Sequence, residues 1–367
     1  MEEKHMTRKI IRLFPVLLIA TAFTTGCGAI SGQKEEVKSL KIGISVYDQY
    51  DTFISEEISQ LKAYAKEKEQ EWDITITVEV QDANKVQLTQ NDQMDDFIRR
   101  GFDIACINLV DRTDASSIIE KAKIAGVPVI FFNRELVEED LQRWDHLYYV
   151  GADAFESGIL QGEILAEACE KDFSAIDRNG DGVIQYVMLE GEAGHQDSMV
   201  RTLYVINTLK EKGYQVEKLG DEIANWNRAQ AETKMNQFLK NFDGQIEVVL
   251  ANNDDMALGA VDSLKKNLGS RRQASEDGHP WPVVIGIDGT KVGLEALQAG
   301  DLLGTVLNDA KGQAISMLEL ARSVVMHTEL PDDIKLIDGK YIRLPYQKVT
   351  EENVNEIMWN MQIKNQS

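Results

Sequence analysis

The 367-residue chain is 43% hydrophobic and 27% charged, and it carries a formal net charge of −22. That is the composition of a folded protein with room for two domains, each with a core of its own. So acidic a body argues against nucleic acid or an anionic membrane surface as a direct partner and suits a solvated, soluble surface.

The N-terminus has its own character. Arg8, Lys9 and Arg12 form a basic region, residues 13–23 are apolar, and small residues lead to Gly26 and Cys27. This reads as a signal peptide over 1–26, too short to span a bilayer stably. Gly26-Cys27 resembles the end of a bacterial lipobox, with Thr24 where an aliphatic residue is usual. Lipidation at Cys27 is the expectation, a lone free cysteine the other reading, and 27–38 then serves as a polar tether.

Beyond it, strands are predicted at 40–46, 74–80, 104–107, 127–132, 148–150, 186–189, 248–251, 283–287 and 303–307. Helical patterns lie between them at 55–69, 87–100, 115–125, 156–171, 198–212, 228–240 and 256–266. The alternation predicts α/β architecture with parallel sheets covered by helices on both faces. There are too many units for one sheet, so two doubly wound lobes are expected. Segment 268–282 reads as a surface loop. Cys106 falls in an apolar strand and Cys169 on an amphipathic helix, where small core residues are expected rather than a disulfide. No Cys/His cluster of metal-binding spacing is present in the sequence.

Most strands end in a carboxylate or carboxamide: Asp51, Asn108, Asn253, Asp254, Asp288 and Asn308. Each alone reads as a helix cap or turn former. Together, at the carboxyl ends of parallel strands where open sheets bind ligands, they form a bed of hydrogen-bonding groups. Such groups suit a neutral polyhydroxylated ligand, because hydroxyls both donate and accept. Phe53 and Trp226 are the candidate flat partners for its apolar ring face, with Trp226 in the polar segment 225–228. His195, Asp197 and Arg201 converge at one helix start, where a cap with an i,i+4 ion pair is the plainer account.

The sharpest local motif is Asp177-x-Asn179-x-Asp181-Gly182, followed by Val183 and Gln185. Side-chain oxygens at loop positions one, three and five converge on a hard cation, and Val183 offers a carbonyl. Position twelve is Met188 rather than Glu, which excludes an ordinary EF-hand. An Asx-rich turn without a metal is the other reading.

From Lys41 to about Val349 the chain resembles the bacterial galactose/glucose-binding members of the periplasmic-binding-protein superfamily. The residues that carry the likeness are Asp51-x-Phe53, Ile107-Asn108-Leu109-Val110-Asp111, Phe132-Asn133-Arg134-Glu135, Gly194-His195-x-Asp197-x-x-x-Arg201, Ala251-Asn252-Asn253-Asp254 and Leu307-Asn308-Asp309. The resemblance implies two lobes of the type I binding-protein fold joined by three crossings. Lobe one would be 39–130 with 309–342, and lobe two 131–308 with 343–362. It implies polar sugar contacts from Asp51, Asn108, His195, Asp197, Arg201, Asn253, Asp288 and Asn308. Asp51 would meet the C4 hydroxyl of either epimer, and Phe53 and Trp226 would sandwich the pyranose. A structural Ca2+ would be held by Asp177, Asn179, Asp181, the Val183 carbonyl, Gln185 and Glu247.

The implied function is extracytoplasmic binding of D-galactose or D-glucose, with methyl-galactoside as a further ligand, by a lipid-anchored monomer. It would deliver to the membrane permease of an ABC transporter, with a chemoreceptor as a further partner. A sensing subunit for a receptor kinase is the alternative within the fold. A DNA-binding repressor would need a basic helix-turn-helix where the signal peptide stands. A glycosidase would need one carboxyl isolated in an apolar setting, and the sequence offers no such residue.

Overall fold

In the computed structural model the described residues are 39–242, 244–271, 276, 278 and 280–364. The expected signal peptide, tether and Cys27 lie outside them. Chain order begins β1 (Ser39–Val46), α1 (Thr52–Trp72), β2 (Thr75–Asp82), α2 (Gln87–Arg99), β3 (Ile104–Ile107), α3 (Ser116–Ala125), β4 (Val129–Phe132), α4 (Glu138–Leu141) and β5 (Leu147–Ala152). It continues with α5 (Ala154–Lys171), α6 (Phe173–Ile176), β6 (Val183–Glu190), α7 (Gln196–Glu211), β7 (Gln215–Ile223), α8 (Arg228–Asn241), β8 (Val248–Ala251), α9 (Asp254–Leu268), β9 (Val283–Ile285), α10 (Lys291–Gln298) and β10 (Gly304–Leu307). The last elements are α11 (Ala310–Met326), β11 (Tyr341–Leu344), β12 (Gln347–Thr350) and α12 (Val354–Lys364).

The strands form two six-stranded sheets, ordered β11-β5-β4-β3-β1-β2 and β12-β10-β9-β8-β6-β7. Five strands of each follow one doubly wound order, and the sixth is supplied by a late segment. β11 joins its sheet parallel to β5, whereas β12 runs antiparallel to β10. Alternate residues of each central strand feed separate cores on the two faces of the sheet. Ile104 and Cys106 pack on one side of β3, Ala105 and Ile107 on the other. In the second sheet Val248 and Leu250 face one core, Val249 and Ala251 the other. Burying each such branched side chain contributes roughly 1.5–3 kcal/mol. A charge placed at Ile107 would therefore break one face of lobe one. Cys106 and Cys169 are free and buried, as core residues should be, and burial raises the Cys169 thiol to about 11.

The lobe boundaries differ from expectation. The first crossing, expected at 130/131, would cut β4 in half. β4 instead pairs with β3, and β5 with β4, so the chain leaves lobe one only after Ala152. The third crossing, expected at 342/343, lies between β11 and β12, because Leu344 still pairs with Ala152. The crossing at 308/309 stands where expected, between β10 and α11. Lobe one is thus 39–152 with 310–344, and lobe two 154–307 with 347–364. Three strands go beyond the apolar candidates. β7 is an edge strand, QVEKLGDEI, with a register shift opposite Tyr186 and Val187, and its charged residues mask it. β11 and β12 are four residues each.

Candidate ligand-binding cleft

The carboxyl ends of both sheets meet around a cleft of about 350 Å³ lined by Tyr47, Asp51, Phe53, Asn133, Arg134, His195, Asp197, Arg201, Trp226, Asn253 and Asp288. Lobe one contributes the first five and lobe two the rest. Phe53 and Trp226 therefore reach the same cavity from opposite lobes.

Several lining residues are helix caps, which explains how strand-end polar groups come to point there. Asp51 caps α1, its Oδ1 accepting from the Ile54 amide at 3.0 Å, while its Oδ2 accepts from the Tyr47 hydroxyl at 2.6 Å. His195 caps α7, Nδ1 accepting from the Asp197 amide. Asn253 caps α9 through Oδ1, which accepts from the Met256 amide at 2.9 Å. Its amide nitrogen faces the Trp226 carbonyl at 3.4 Å.

Arg201 is the hub of the lobe-two wall. It donates to the Asn252 carbonyl at 2.8 Å, Asp197 Oδ2 at 3.2 Å, Asp288 Oδ1 at 3.4 Å and the Tyr346 hydroxyl at 3.2 Å. Tyr346 lies in the third connection between the lobes, so the hub touches the hinge. Burial raises the carboxyl pKa values of Asp197 and Asp288, Arg201 opposing it. Burial also lowers His195 well below its ordinary value, and Arg134, Arg201 and Arg112 add to the effect. With Nδ1 accepting from the Asp197 amide, the neutral ring that this burial favours has Nε2–H left to donate. The Nε–H groups of Arg134 and Arg201 are buried without a protein partner.

The cleft also concentrates backbone of positive φ: Asn133 (58°), Asn225 (52°), Trp226 (62°) and Asp288 (116°). For Trp and Asp such conformations cost of order 1–3 kcal/mol and persist where the surroundings over-determine them. Gly191 shows how the indole is seated, since a Cβ there would stand 2.1 Å from Trp226 Cζ2.

Eight of the ten expected sugar contacts line the cleft. Asn108 and Asn308 do not. Asn108 is fully buried, its amide bonded to the Phe132 carbonyl and Asn133 Oδ1, tying β3 to β4. Asn308 accepts from Gln313 Nε2 at 2.6 Å beside the second crossing. Tyr47, Asn133 and Arg134 were not expected. Arg134 and Asn133 stand in the motif Phe132-Asn133-Arg134-Glu135, which was the available signal; Tyr47 had none.

In the loop 177–185, Asp177 accepts from the Gly180, Asp181 and Gly182 amides, and Gln185 bonds both Asn179 and Asp181. Glu247, distant in sequence, accepts from the Arg178, Asn179 and Gln185 amides. The six expected residues thus form one cluster, with Val183 opening β6. Their side-chain donor atoms are hard oxygens, the chemistry of a Ca2+ shell. Among the described residues no three His, Cys, Asp or Glu side chains stand in metal-holding geometry.

A two-lobed α/β fold with a polar, aromatic-flanked cleft between its lobes defines a solute-binding protein. The periplasmic binding protein domain model matches residues 42–329, and the chain belongs to that family. It is an extracytoplasmic binding protein and not an enzyme. It is 33% identical over 346 residues to the D-galactose/methyl-galactoside binding periplasmic protein of Haemophilus influenzae, covering 93% of this chain and 98% of that one. A xylitol-binding protein of Mycolicibacterium smegmatis is 29% identical over 84% of this chain and 78% of its own. An ABC transporter solute binding protein from Bacillus halodurans with bound myo-inositol superposes with a TM-score of 0.70 at 27% identity, covering 88% and 98% of the two chains. Among the described residues no helix is long and apolar enough to cross a membrane.

Proposed function

We propose that the chain is a monomeric receptor for D-galactose or D-glucose that delivers its sugar to the permease of an ABC transporter. The observation that carries this reading is the pairing of Phe53 and Trp226 on opposite sides of one cleft whose remaining lining is acid, amide, imidazole and guanidinium. Flat apolar partners suit the faces of a pyranose, and the polar groups suit its rim of hydroxyls. The relatives named for galactoside, xylitol and myo-inositol share vicinal hydroxyls as their common chemistry. A ligand drives closure only through contacts that differ between open and closed lobes. Asp51 and Phe53 on one side and His195, Asp197, Arg201, Trp226, Asn253 and Asp288 on the other supply them. Isothermal titration against galactose, glucose, methyl-galactoside, xylitol and myo-inositol tests the assignment. Heat with xylitol or inositol and none with either hexose overturns it.

The 177–185 loop is proposed as a structural Ca2+ site, with Asp177, Asn179, Asp181, the Val183 carbonyl, Gln185 and Glu247 as ligands. An ion there would tie the start of β6 to Glu247 beside β8 and so brace lobe two. A strong chelator should lower the melting temperature of the sugar-free protein, and added calcium should restore it. An unchanged melting curve refutes the site. Lipidation at Cys27 is proposed as the tether, and a protein that stays in the aqueous phase on detergent partition removes it.

A further inference from the structure

Among the described residues two side-chain hydrogen bonds join the lobes across the cleft outside the three connecting segments. Thr52 Oγ1, at the start of α1, donates to Asp255 Oδ2 in the first turn of α9 at 2.5 Å. Arg134, just after β4, donates through Nη2 to Glu192 Oε2, just after β6, at 2.6 Å. The second is a charged pair, and its arginine is held unusually firmly by its own lobe. The guanidinium lies over the Tyr47 ring at 3.5 Å from the centroid. Nη1 donates to the Val110 carbonyl at 2.9 Å. Tyr47 in turn donates to Asp51, a cleft residue.

Arg134's other side-chain hydrogen bond and its ring contact belong to lobe one and survive any rotation of the lobes. The bond to Glu192 requires them to be shut, as does the weaker electrostatic reach of the guanidinium to His195 and Asp197. The arginine side chain is 5% exposed and the glutamate 36%, so the pair runs from the interior of the cleft to its rim. We propose that Arg134 is a closing clamp: a pre-positioned cation on lobe one that captures Glu192 of lobe two and slows escape of the bound ligand. The arginine is a positioning residue here, acting on the closed state. A charge-assisted bond made only when closed shifts the open–closed equilibrium directly. Because Glu192 is partly exposed, salt should weaken the clamp.

The proposal rests on the hexose reading of the cleft for its kinetic arm alone. In stopped-flow fluorescence with D-galactose and D-glucose, Glu192→Gln should raise the dissociation rate about tenfold at low salt and leave the association rate within about twofold. Arg134→Ala, which also removes a cleft-lining group, should raise the dissociation rate at least as much, and adding Glu192→Gln to it should raise that rate no further. High salt should raise the wild-type dissociation rate toward that of the variants, whose rates should be flat in salt. In small-angle scattering without sugar, the wild type at low salt should be more compact than Glu192→Gln, and the two should converge at high salt. Equal dissociation rates for wild type and Glu192→Gln at low salt overturn the clamp. A wild type that binds neither hexose sinks the ligand assignment instead, and the scattering comparison then decides the clamp by itself.

Discussion

The two walls of the cleft are built differently. On lobe two, Arg201 is bonded to Asp197, Asp288, Asn252 and the hinge tyrosine Tyr346 in one buried network. On lobe one the polar groups are held piecemeal: Asp51 by its helix cap and Tyr47, Arg134 by Val110 and a ring. Phe53 belongs to the lobe-one core, whereas Trp226 sits partly buried at the edge of the lobe-two core. The contrast describes a preassembled platform facing a jaw. Substitutions in the Arg201 network should then act on affinity and stability together, and those of the lobe-one polar groups mainly on closure, whereas each ring follows its own burial.

The largest effect is expected at Arg201. Arg201→Met leaves two buried carboxyls without their cation, a change that costs about 3–5 kcal/mol. Denaturant unfolding should show that loss, and hexose binding should vanish with it. A loss under about 1 kcal/mol would mean that Asp197 and Asp288 do not depend on the arginine, and the platform would dissolve into separate contacts.

Next come the two rings. Trp226→Ala should lower hexose affinity at least 100-fold, about 2.7 kcal/mol, at small cost to folding, since the indole is only partly buried. Phe53→Ala should cost folding more, about 3 kcal/mol or above, because it opens a cavity in the lobe-one core. Titration calorimetry and melting curves on both variants separate the cases. Unchanged sugar binding by Trp226→Ala would remove the stacking role. Smaller still is Asp51→Asn, which keeps a competent cap for α1 but removes a charged acceptor. It should weaken galactose and glucose alike by about tenfold. Selective loss of one epimer would contradict a shared C4 contact.

How much of this was legible in the sequence depends on how local each signal is. Asp51, His195 and Asn253 were legible because a cap must stand between a strand end and a helix, which puts it at the carboxyl edge of the sheet. Asn108 carries the same signal and yet turns inward, because its bonding to β4 depends on which strand lies next to β3. The lobe boundary failed for the same reason: β4 and β5 look like any buried strands, and only pairing assigns them to the first sheet. Tyr47 carried no signal, and the motif around Arg134 gave its position but not its role, because both take their meaning from a stack on each other and, for Arg134, a partner in the opposite lobe. Glu247 was named only through the likeness to a family, since nothing in its own spacing ties it to the loop whose amides it meets.

The smallest effect tests how the platform is held from behind. Asp254 is fully buried beneath it, accepting from the Thr290 amide at 2.7 Å and the Thr305 hydroxyl at 2.6 Å. It thereby fixes the loop that follows Asp288. Burial pushes its pKa up to about 7 from an ordinary 3.8. A raised value means that the folded chain holds a proton the unfolded chain releases. The stability so gained is fully present below about pH 4 and is lost as pH rises through 7, with a slope of at most about 1.4 kcal/mol per pH unit from one group. Asp254→Asn mimics the protonated form, keeping an acceptor for Thr290 and turning a donor toward Thr305. Melting curves of the sugar-free variant should therefore fall less between pH 5 and 8 than those of the wild type. Asp197 and Asp288, also raised by burial, keep part of the slope in both proteins. If instead the Asp254 variant follows the wild-type slope, the carboxyl is ionised throughout, and the threonines hold an anion behind the platform rather than an acid.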